Sequence, residues 1–293
     1  MMGRVRTLRP PDLPRAAALS AAVGWNQTVA DWALFLRFGS VRGVDDGEGT
    51  PLAATAATLP FGRGVAWISM VLVRPDRRRA GLATAAMCWA VESLRAAETP
   101  SVALDATPAG REVYRRLGFR DLWGFRRWAM PMALPPPETG ILVRRLREAD
   151  WPALCALDSE VFGAPREFLL RDFAARLPAA ALVAEGPGGR LLGFVFGRDG
   201  LRAPQLGPLV ATESAAARSL LAAALAALPV PGAEAGGAPR AVIDLCDAQS
   251  GIAAWIAAHG AREQRPFTRM ALGADPPGGP ARRLVAVAGP EFG

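Results

Sequence analysis

The chain has 293 residues, which is long enough for two ordinary domains with sizeable cores. With 51% hydrophobic and 21% charged residues it is not a disordered protein, and its longest apolar run, at residues 220–230, is too short to cross a bilayer. The net charge of +7 comes from arginines that are spread among acidic residues, whereas nucleic-acid-binding proteins usually concentrate their basic residues on one face.

The cysteines Cys88, Cys155 and Cys246 lie far apart, and His259 is the one histidine. These spacings fit neither a metal-ligand motif nor a disulfide framework, so we expect free thiols and no metal site. The short apolar stretch that follows the N-terminal arginines ends in no clear cleavage site. We therefore expect a cytoplasmic protein without a membrane partner.

The first half alternates predicted helices and strands. Residues 65–73 are almost continuously apolar, which is typical of a central strand buried on both faces. The next segment carries apolar residues at one-turn spacing and predicts a helix from about Gly81 to Ala97. In chain order we predict a strand at 4–8, helices at 12–23 and 28–38, strands near 41 and at 53–59 and 65–73, a helix at 81–97, a strand at 101–105, a helix at 109–117 and a strand at 125–130.

The second half repeats this pattern. Residues 4–19 and 141–157 both predict a strand, an acidic turn and a helix that begins with proline, and residues 101–119 and 241–261 are similarly alike. Three consecutive prolines lie between the halves and would stop a helix or a central strand. We predict two tandem α/β domains at 1–130 and 141–275, each a central mixed sheet flanked by helices. A Pro-rich linker at 131–140 joins them, and a tail at 276–293 can add a strand.

An arginine-rich loop joins the central strand to its helix. Arg77, Arg78 and Arg79 place positive charge at a helix N-terminus, where the helix dipole is already positive, and this favours a bound anion. The first N–H groups of a helix lack internal partners, and Gly81 has no Cβ to keep an anion away from them. The loop is neither a Walker A motif nor a dinucleotide fingerprint. We predict a diphosphate site here, with a solvated basic turn as the alternative.

Two motifs resemble the GNAT superfamily of N-acetyltransferases. "VLVRPDRRRAGLA" at residues 71–83 matches that family's strand and Arg/Gln-x-x-Gly-x-Gly/Ala loop, and "YRRLGF" at residues 114–119 matches its Tyr-x-x-x-Gly-Phe. The duplicated architecture is similar to that of tandem GNAT proteins. The resemblance implies that acetyl-CoA is the co-substrate, with its pyrophosphate on the loop and its pantetheine arm along the end of the strand. The residues so implied are Val71, Leu72, Val73, Arg78, Arg79, Ala80, Gly81, Leu82, Ala83 and Thr84.

The resemblance also implies direct attack of an amine on the thioester, whose carbonyl a main-chain N–H of the central strand polarises. Tyr114, the one tyrosine of the chain, resembles the family's general acid, and a pKa near 10 keeps a tyrosine protonated at neutral pH. Many members carry a glutamate near the position of Trp67, which this sequence lacks. Asp105 is the candidate base or amine anchor, with a turn-stabilising role as the alternative. Trp25 and Trp67 are candidates for the acceptor pocket.

The second half lacks the Arg-x-x-Gly core and places Glu213 where a diphosphate would bind. Trp255 or Ile256 aligns with Tyr114, and neither can protonate a thiolate. We therefore expect a degenerate copy without chemistry. The leading hypothesis is an acetyl-CoA-dependent N-acetyltransferase for a small-molecule or peptide amine, active in the first domain and without a metal. A non-catalytic CoA-binding regulatory protein is the alternative, and an arginine-rich nucleic-acid binder is a third hypothesis. The sequence leaves the acceptor, the acyl chain and the oligomeric state open.

Overall fold

The protein, represented by a computed structural model, is described for residues 4–45, 50–62, 64–131, 133–136, 140–229, 240–276, 278 and 283–293. Residues 132 and 137–139 of the predicted linker lie outside this description. The helices are α1 Leu13–Ala22, α2 Val29–Phe38, α3 Leu82–Ala96, α4 Pro108–Arg116, α5 Trp151–Phe162, α6 Glu167–Arg176, α7 Ser214–Ala227 and α8 Ser250–Ala258. The strands are β1 Arg4–Thr7, β2 Ser40–Asp45, β3 Leu52–Gly62, β4 Val65–Val73, β5 Ser101–Ala106, β6 Arg120–Ala129, β7 Leu142–Arg145, β8 Leu182–Glu185, β9 Leu191–Arg198, β10 Gln205–Ala211, β11 Val242–Cys246, β12 Arg262–Gly273 and β13 Leu284–Ala286.

The mixed α/β architecture predicted from the sequence is confirmed, and the helices and strands of the first half follow the predicted order. The apolar run at residues 65–73 forms β4, most of which is buried, as expected of a strand covered on both faces. The sheets of the two halves are joined into one 13-stranded sheet with the order β1-β2-β3-β4-β5-β12-β6-β11-β13-β10-β9-β8-β7.

The closing strands of the two halves are exchanged. β12 belongs to the second half but lies between β5 and β6 of the first half and pairs antiparallel with both. β6 in turn pairs antiparallel with β11 of the second half, from Val242 opposite Ala129 to Cys246 opposite Phe125. Each half is therefore completed by a strand of the other, which the sequence repeat did not predict.

Each half contains a pair of parallel strands that separate soon after they meet. β4 and β5 pair only from Val65–Ser101 to Trp67–Ala103, and β10 and β11 pair only at Gln205–Val242 and Leu206–Ile243. Within the described residues, no strand occupies the opening between β4 and β5. The opening between β10 and β11 holds β13, whose Ala286 lies opposite Leu209 on one side and Leu245 on the other. The two halves therefore differ at the position where the sheet opens.

Apolar and charged side chains from both halves meet between them. Trp32 and Phe35 of the first half share one buried cluster with Phe173 of the second half and with Phe292. Arg198, which is fully buried, donates to Asp31 at 2.8 Å across this interface. The core between the halves thus belongs to neither half alone.

No helix in the described part of the chain is both long and apolar enough to span a membrane. The three cysteines are free, with Cys246 buried and the other two partly exposed.

Candidate active site

A cleft of about 460 Å³ lies where β4 and β5 separate, beside the starts of α3 and α4. The structure brings nearly all of the predicted site residues together here. Ala80 and Trp67 are the predicted residues that do not line it. The predicted residues that do line it are Trp25, Val71, Leu72, Val73, Arg78, Arg79, Gly81, Leu82, Ala83, Thr84, Asp105 and Tyr114.

The loop before α3 leaves the start of the helix open. Arg79 and Gly81 have positive φ angles of 62° and 76°, and Gly81 is the residue that precedes the first turn of α3. The first helical hydrogen bond runs from the Ala85 N–H to the Gly81 carbonyl oxygen at 3.0 Å. The N–H groups of residues 82–84 therefore have no acceptor within the helix, which is the arrangement that binds anions at helix N-termini.

The arginines of this loop differ in their partners. Arg74 is paired with Asp76 at 2.6 Å. Arg78 and Arg79 are exposed, and neither has a carboxylate partner among the described residues. Two uncommitted guanidinium groups beside an open helix N-terminus suit a ligand with two or more negative charges, because each can form charge-assisted hydrogen bonds to phosphate oxygens.

The end of β4 carries a bulge. Leu72 lies opposite Thr55 and Ser69 opposite Ala57, so the two strands shift by one residue between these pairs. Met70, in the bulge, has a φ of 54°, and its carbonyl oxygen accepts a hydrogen bond from Thr55 Oγ1 at 2.8 Å. On the β5 side, no described strand pairs with residues 68–73. This backbone edge can therefore hydrogen-bond an extended ligand, and bulges next to active sites commonly re-aim the chain in this way.

Tyr114 lies on α4, half-buried, with its ring against Gly110. A Cβ at Gly110 would come within 3.0 Å of the ring and 3.4 Å of the hydroxyl oxygen, so a larger residue there would displace the tyrosine. Burial raises the pKa of Tyr114 to about 12. Its hydroxyl has no hydrogen-bond partner in the described structure. The side chain is therefore a protonated donor that faces the cleft and is available to a leaving group.

Asp105 is not a free carboxylate. Its two oxygens accept hydrogen bonds from Arg269 Nε and Nη2 at 2.9 and 2.8 Å, and the carboxylate is fully buried. Burial raises its pKa, and the facing Arg269 opposes the rise. The predicted turn-stabilising role belongs to Thr107 instead, which caps α4 by accepting the Gly110 N–H at 3.2 Å. Because Arg269 comes from the exchanged strand β12, sequence patterns within the first half did not indicate this pair.

The structure separates the two tryptophans predicted for the acceptor pocket. Trp25 lines the cleft. Trp67 does not: it is 1% exposed and lines a different cavity, where Arg269 lies 4.5 Å from its ring centre. Successive side chains of a strand point to opposite faces, and Trp67 lies on the face that packs between the two halves. Trp67 therefore lies apart from Trp25 and lines this second cavity.

A smaller inner cavity of about 30 Å³ continues the cleft. It shares Trp25, Val71, Asp105 and Tyr114 with the cleft, and the C-terminal segment, residues 283–293, closes it with Pro290 and Glu291. Ser69 Oγ donates to the Glu291 carbonyl oxygen at 2.6 Å. No sequence pattern indicated this contribution, because a contact between residues 222 positions apart leaves no local signal.

The corresponding region of the second half is closed. β13 occupies the opening between β10 and β11. Glu213, exposed and directly before α7, stands where a helix N-terminus would meet an anion. The residues that the structure describes contain no group of three or more His, Cys, Asp or Glu side chains that could hold a metal ion.

Comparisons with known proteins agree with this architecture. The model of the acetyltransferase (GNAT) family matches residues 17–119, and the model of an acetyltransferase (GNAT) domain matches residues 154–286. A search of curated proteins found no match.

Several solved structures share the fold at low sequence identity. A proposed acetyltransferase from Pyrococcus horikoshii is 18% identical with a TM-score of 0.76, and the alignment covers 99% of this chain and 95% of that one. A tandem GNAT protein from the clavulanic acid biosynthesis pathway is 18% identical with a TM-score of 0.66, over 93% of this chain and 99% of that one. A GCN5-related N-acetyltransferase from Sphaerobacter thermophilus is 19% identical with a TM-score of 0.64, over 92% and 95%. Since the two family models together cover most of the sequence, the chain belongs to the GNAT acetyltransferase family and carries two of its domains in tandem.

Proposed function

We propose that the protein transfers an acetyl group from acetyl-CoA to a primary amine and that the chemistry takes place in the first half. The observation that carries this proposal is the difference between the two openings in the sheet. The opening between β4 and β5 is lined by Tyr114 and by the arginine–glycine loop, which contains Arg78, Arg79 and Gly81. The opening between β10 and β11 is filled by β13. An extended ligand that hydrogen-bonds to a free strand edge would therefore bind in the first half.

The residues of the cleft fit acetyl-CoA. Arg78, Arg79 and the N–H groups of residues 82–84 would hold its diphosphate, and the free edge of Val71–Val73 would hold the amide-containing arm. When bound, acetyl-CoA supplies an acetyl group activated as a thioester. The backbone N–H groups near the β4 bulge would stabilise the negative charge that develops on the carbonyl oxygen during attack.

Tyr114 supplies the proton that acyl transfer requires. Attack by a neutral amine nitrogen would form the carbon–nitrogen bond and break the carbon–sulfur bond. The nitrogen would then lose a proton to solvent, and the thiolate that leaves would take one up. With a pKa of about 12, the Tyr114 hydroxyl keeps its proton throughout the physiological range and can donate it. No other tyrosine is present in the chain to replace it.

Calorimetric titration with acetyl-CoA tests where the ligand binds. We compare the wild type with Gly81→Asp and Gly81→Asn, because Asp and Asn both tolerate the positive φ at this position. A Cβ at Gly81 would meet nothing within 4 Å, so the two variants differ chiefly in charge. Two unit charges 4 Å apart repel by about 1 kcal/mol in water and by about 4 kcal/mol at an effective permittivity near 20.

We expect one site in the wild type, and binding by Gly81→Asp that is at least about tenfold weaker than by Gly81→Asn. Gly251→Asp is the matched control: it places the same charge in open space at the first turn of α8, in the second half. Equal affinities for Gly81→Asp and Gly81→Asn would show that the diphosphate does not bind at this loop. Loss of binding in the control alone would move the site to the second half.

A non-catalytic CoA-binding regulatory protein is the second candidate. It is favoured by the absence of a carboxylate on β4 and by the commitment of both Asp105 oxygens to Arg269. Thiol release from acetyl-CoA, measured with and without a panel of primary amines, separates the two functions. Amine-dependent release that Tyr114→Phe suppresses supports the enzyme, and one-site binding without release for any amine supports the regulatory protein.

A further inference from the structure

The second cavity, which Trp67 lines, has a volume of about 500 Å³. Trp123, Phe162 and Arg269 also line it, and it shares no described lining residue with the cleft or with the inner cavity. Its volume falls in the range of small-molecule sites, which are lined mainly by apolar and aromatic side chains with a few polar groups. The proposed acetyl transfer does not use this cavity.

The second cavity extends away from the cleft along β5. The cleft is lined by Asp105, which lies near the end of this strand. The second cavity reaches Asp275, which follows Gly273, and Gly273 lies opposite Ser101 at the start of β5. A ligand in the second cavity can therefore be bound at the same time as a ligand in the cleft.

Arg269 provides a fixed hydrogen-bond donor to the second cavity. Its Nε and Nη2 donate to Asp105 at 2.9 and 2.8 Å, and its Cζ lies 4.5 Å from the ring centre of Trp67 and 4.3 Å from that of Trp123. Nη1 has no hydrogen-bond partner in the described structure and is not fully buried, so it lies at the surface of the cavity that Arg269 lines. A guanidinium held in this way is suited to bind a carboxylate through its remaining N–H groups.

The other polar groups of the second cavity also favour a ligand that accepts hydrogen bonds. Among its described residues, both carboxylates have arginine partners: Asp121 accepts from Arg111 Nε at 3.0 Å, and Asp275 is paired with Arg120. The indole N–H of Trp67, in contrast, is buried without an acceptor. The described lining residues therefore have donors without acceptors, whereas their carboxylates are already paired.

We propose that the second cavity is a binding site for an aromatic carboxylate, whose ring packs against Trp123 and Phe162 and whose carboxylate accepts a hydrogen bond from Arg269 Nη1. The aromatic side chains supply the apolar contact area, and the guanidinium supplies a charge-assisted hydrogen bond. Arg269 would then be shared between the ligand and Asp105, so the negative charge of Asp105 opposes that of the ligand. This assignment is independent of the acetyl transfer proposed above.

The test measures binding to the full chain and needs no turnover. The wild type is titrated calorimetrically with indole-3-acetate and with 3-methylindole, which has the same ring system without the carboxylate. We expect indole-3-acetate to bind at least about tenfold more tightly, since a hydrogen bond to a charged group contributes about 1.5–3 kcal/mol. Saturating CoA should leave one site for indole-3-acetate, whereas complete exclusion by CoA would place the ligand in the cleft and overturn the proposal.

Two variants test the assigned contacts. Asp105→Asn keeps the shape of the side chain and removes the charge that shares Arg269, so it should bind indole-3-acetate at least about fivefold more tightly and 3-methylindole unchanged. Trp123→Leu removes an aromatic face and should weaken the binding of both probes at least about fivefold. Trp255→Leu, at a partly buried tryptophan of α8 in the second half, is the matched control and should behave as the wild type.

Equal wild-type affinities for the two probes, or no binding of either, would overturn the proposal. Undiminished binding by Trp123→Leu would do the same, and an unchanged affinity of Asp105→Asn for indole-3-acetate would show that Arg269 does not hold the carboxylate. The wild-type comparison decides the question even if Asp105→Asn does not fold. Failure of the wild type to bind CoA would count against the proposed acetyl transfer, whereas the titrations without CoA would still report on the second cavity.

Discussion

Phe292 is the side chain of the C-terminal segment that connects the two halves most directly. It is fully buried, and its ring stacks on Phe35 of α2 with the ring centres 5.1 Å apart. It also meets Phe173 of α6 edge to face at 5.5 Å, and Arg198 lies 5.6 Å from its ring centre. The replacement Phe292→Ala therefore removes contacts to the first half, to the second half and to the arginine that pairs with Glu291.

The expected loss follows from these contacts. Replacing a fully buried phenylalanine by alanine costs about 3–5 kcal/mol, which includes the cavity that remains. Each of the two aromatic contacts contributes about 0.5–1.5 kcal/mol beyond the buried area. With a urea slope of about 3 kcal/mol per molar, the unfolding midpoint of Phe292→Ala should fall by about 1–1.7 M.

The assay is equilibrium unfolding in urea, followed in parallel by tryptophan fluorescence and far-UV circular dichroism. Because the two halves exchange strands and share a core, we expect one transition with coincident midpoints for both signals. Phe292→Leu, which keeps apolar volume and removes the ring, is the control and should lose about 1–2 kcal/mol. A midpoint shift below about 0.3 M in Phe292→Ala, or two separate transitions in the wild type, would refute this view of the C-terminal segment.

Three further predictions follow from the site and the fold. Tyr114→Phe should lower kcat at least about 100-fold without changing the affinity for acetyl-CoA, and an unchanged rate would remove the tyrosine from the mechanism. Because the pKa of Tyr114 is about 12, the wild-type rate should show no loss from its deprotonation below about pH 11. The separate polypeptide 1–136 should show no cooperative urea transition, because β5 and β6 would lack β12 and β11; a cooperative transition would contradict this expectation. Arg6 lowers the pKa of Asp12 to about 2. The ionised Asp12 therefore contributes at most about 2 kcal/mol to the free energy of unfolding above pH 4, and this contribution is lost as the pH falls from about 4 to about 2. Acid unfolding curves should therefore differ between the wild type and Asp12→Asn, with a smaller loss in the variant over this range.

Much of the first half was predictable because its signals are local. The continuous apolar run of β4 indicates a strand buried on both faces, and the one-turn spacing of apolar residues in α3 indicates a helix buried on one face. Neither pattern depends on which elements pack against the strand or the helix. The arginine–glycine loop was predictable for the same reason, since a positive φ and an open helix N-terminus are requirements of the loop itself. Tyr114 was indicated by its motif position, and the structure places it in the cleft.

Side chains whose partners lie far away along the chain were less predictable. Asp105 was a candidate base or amine anchor, and the structure shows that Arg269 donates to both of its oxygens. Trp67 was a candidate for the acceptor pocket, and the structure places it in the core between the halves, where it lines a cavity separate from the cleft. No local pattern indicated Glu291, whose carbonyl oxygen accepts a hydrogen bond from Ser69. In each case the deciding residue comes from the other half or from the C-terminal segment.

The sequence by itself therefore determined the order of the elements, the duplication, and the loop and tyrosine of the candidate site. Only the tertiary structure decided that β12 and β6 are exchanged, that β13 fills the opening of the second half, and that Glu291 reaches the inner cavity of the first. The physical reason is that a strand shows the same apolar pattern whichever strand pairs with it. Pairing partners are selected by packing across the whole sheet, and that selection leaves no mark on the residues of one strand alone.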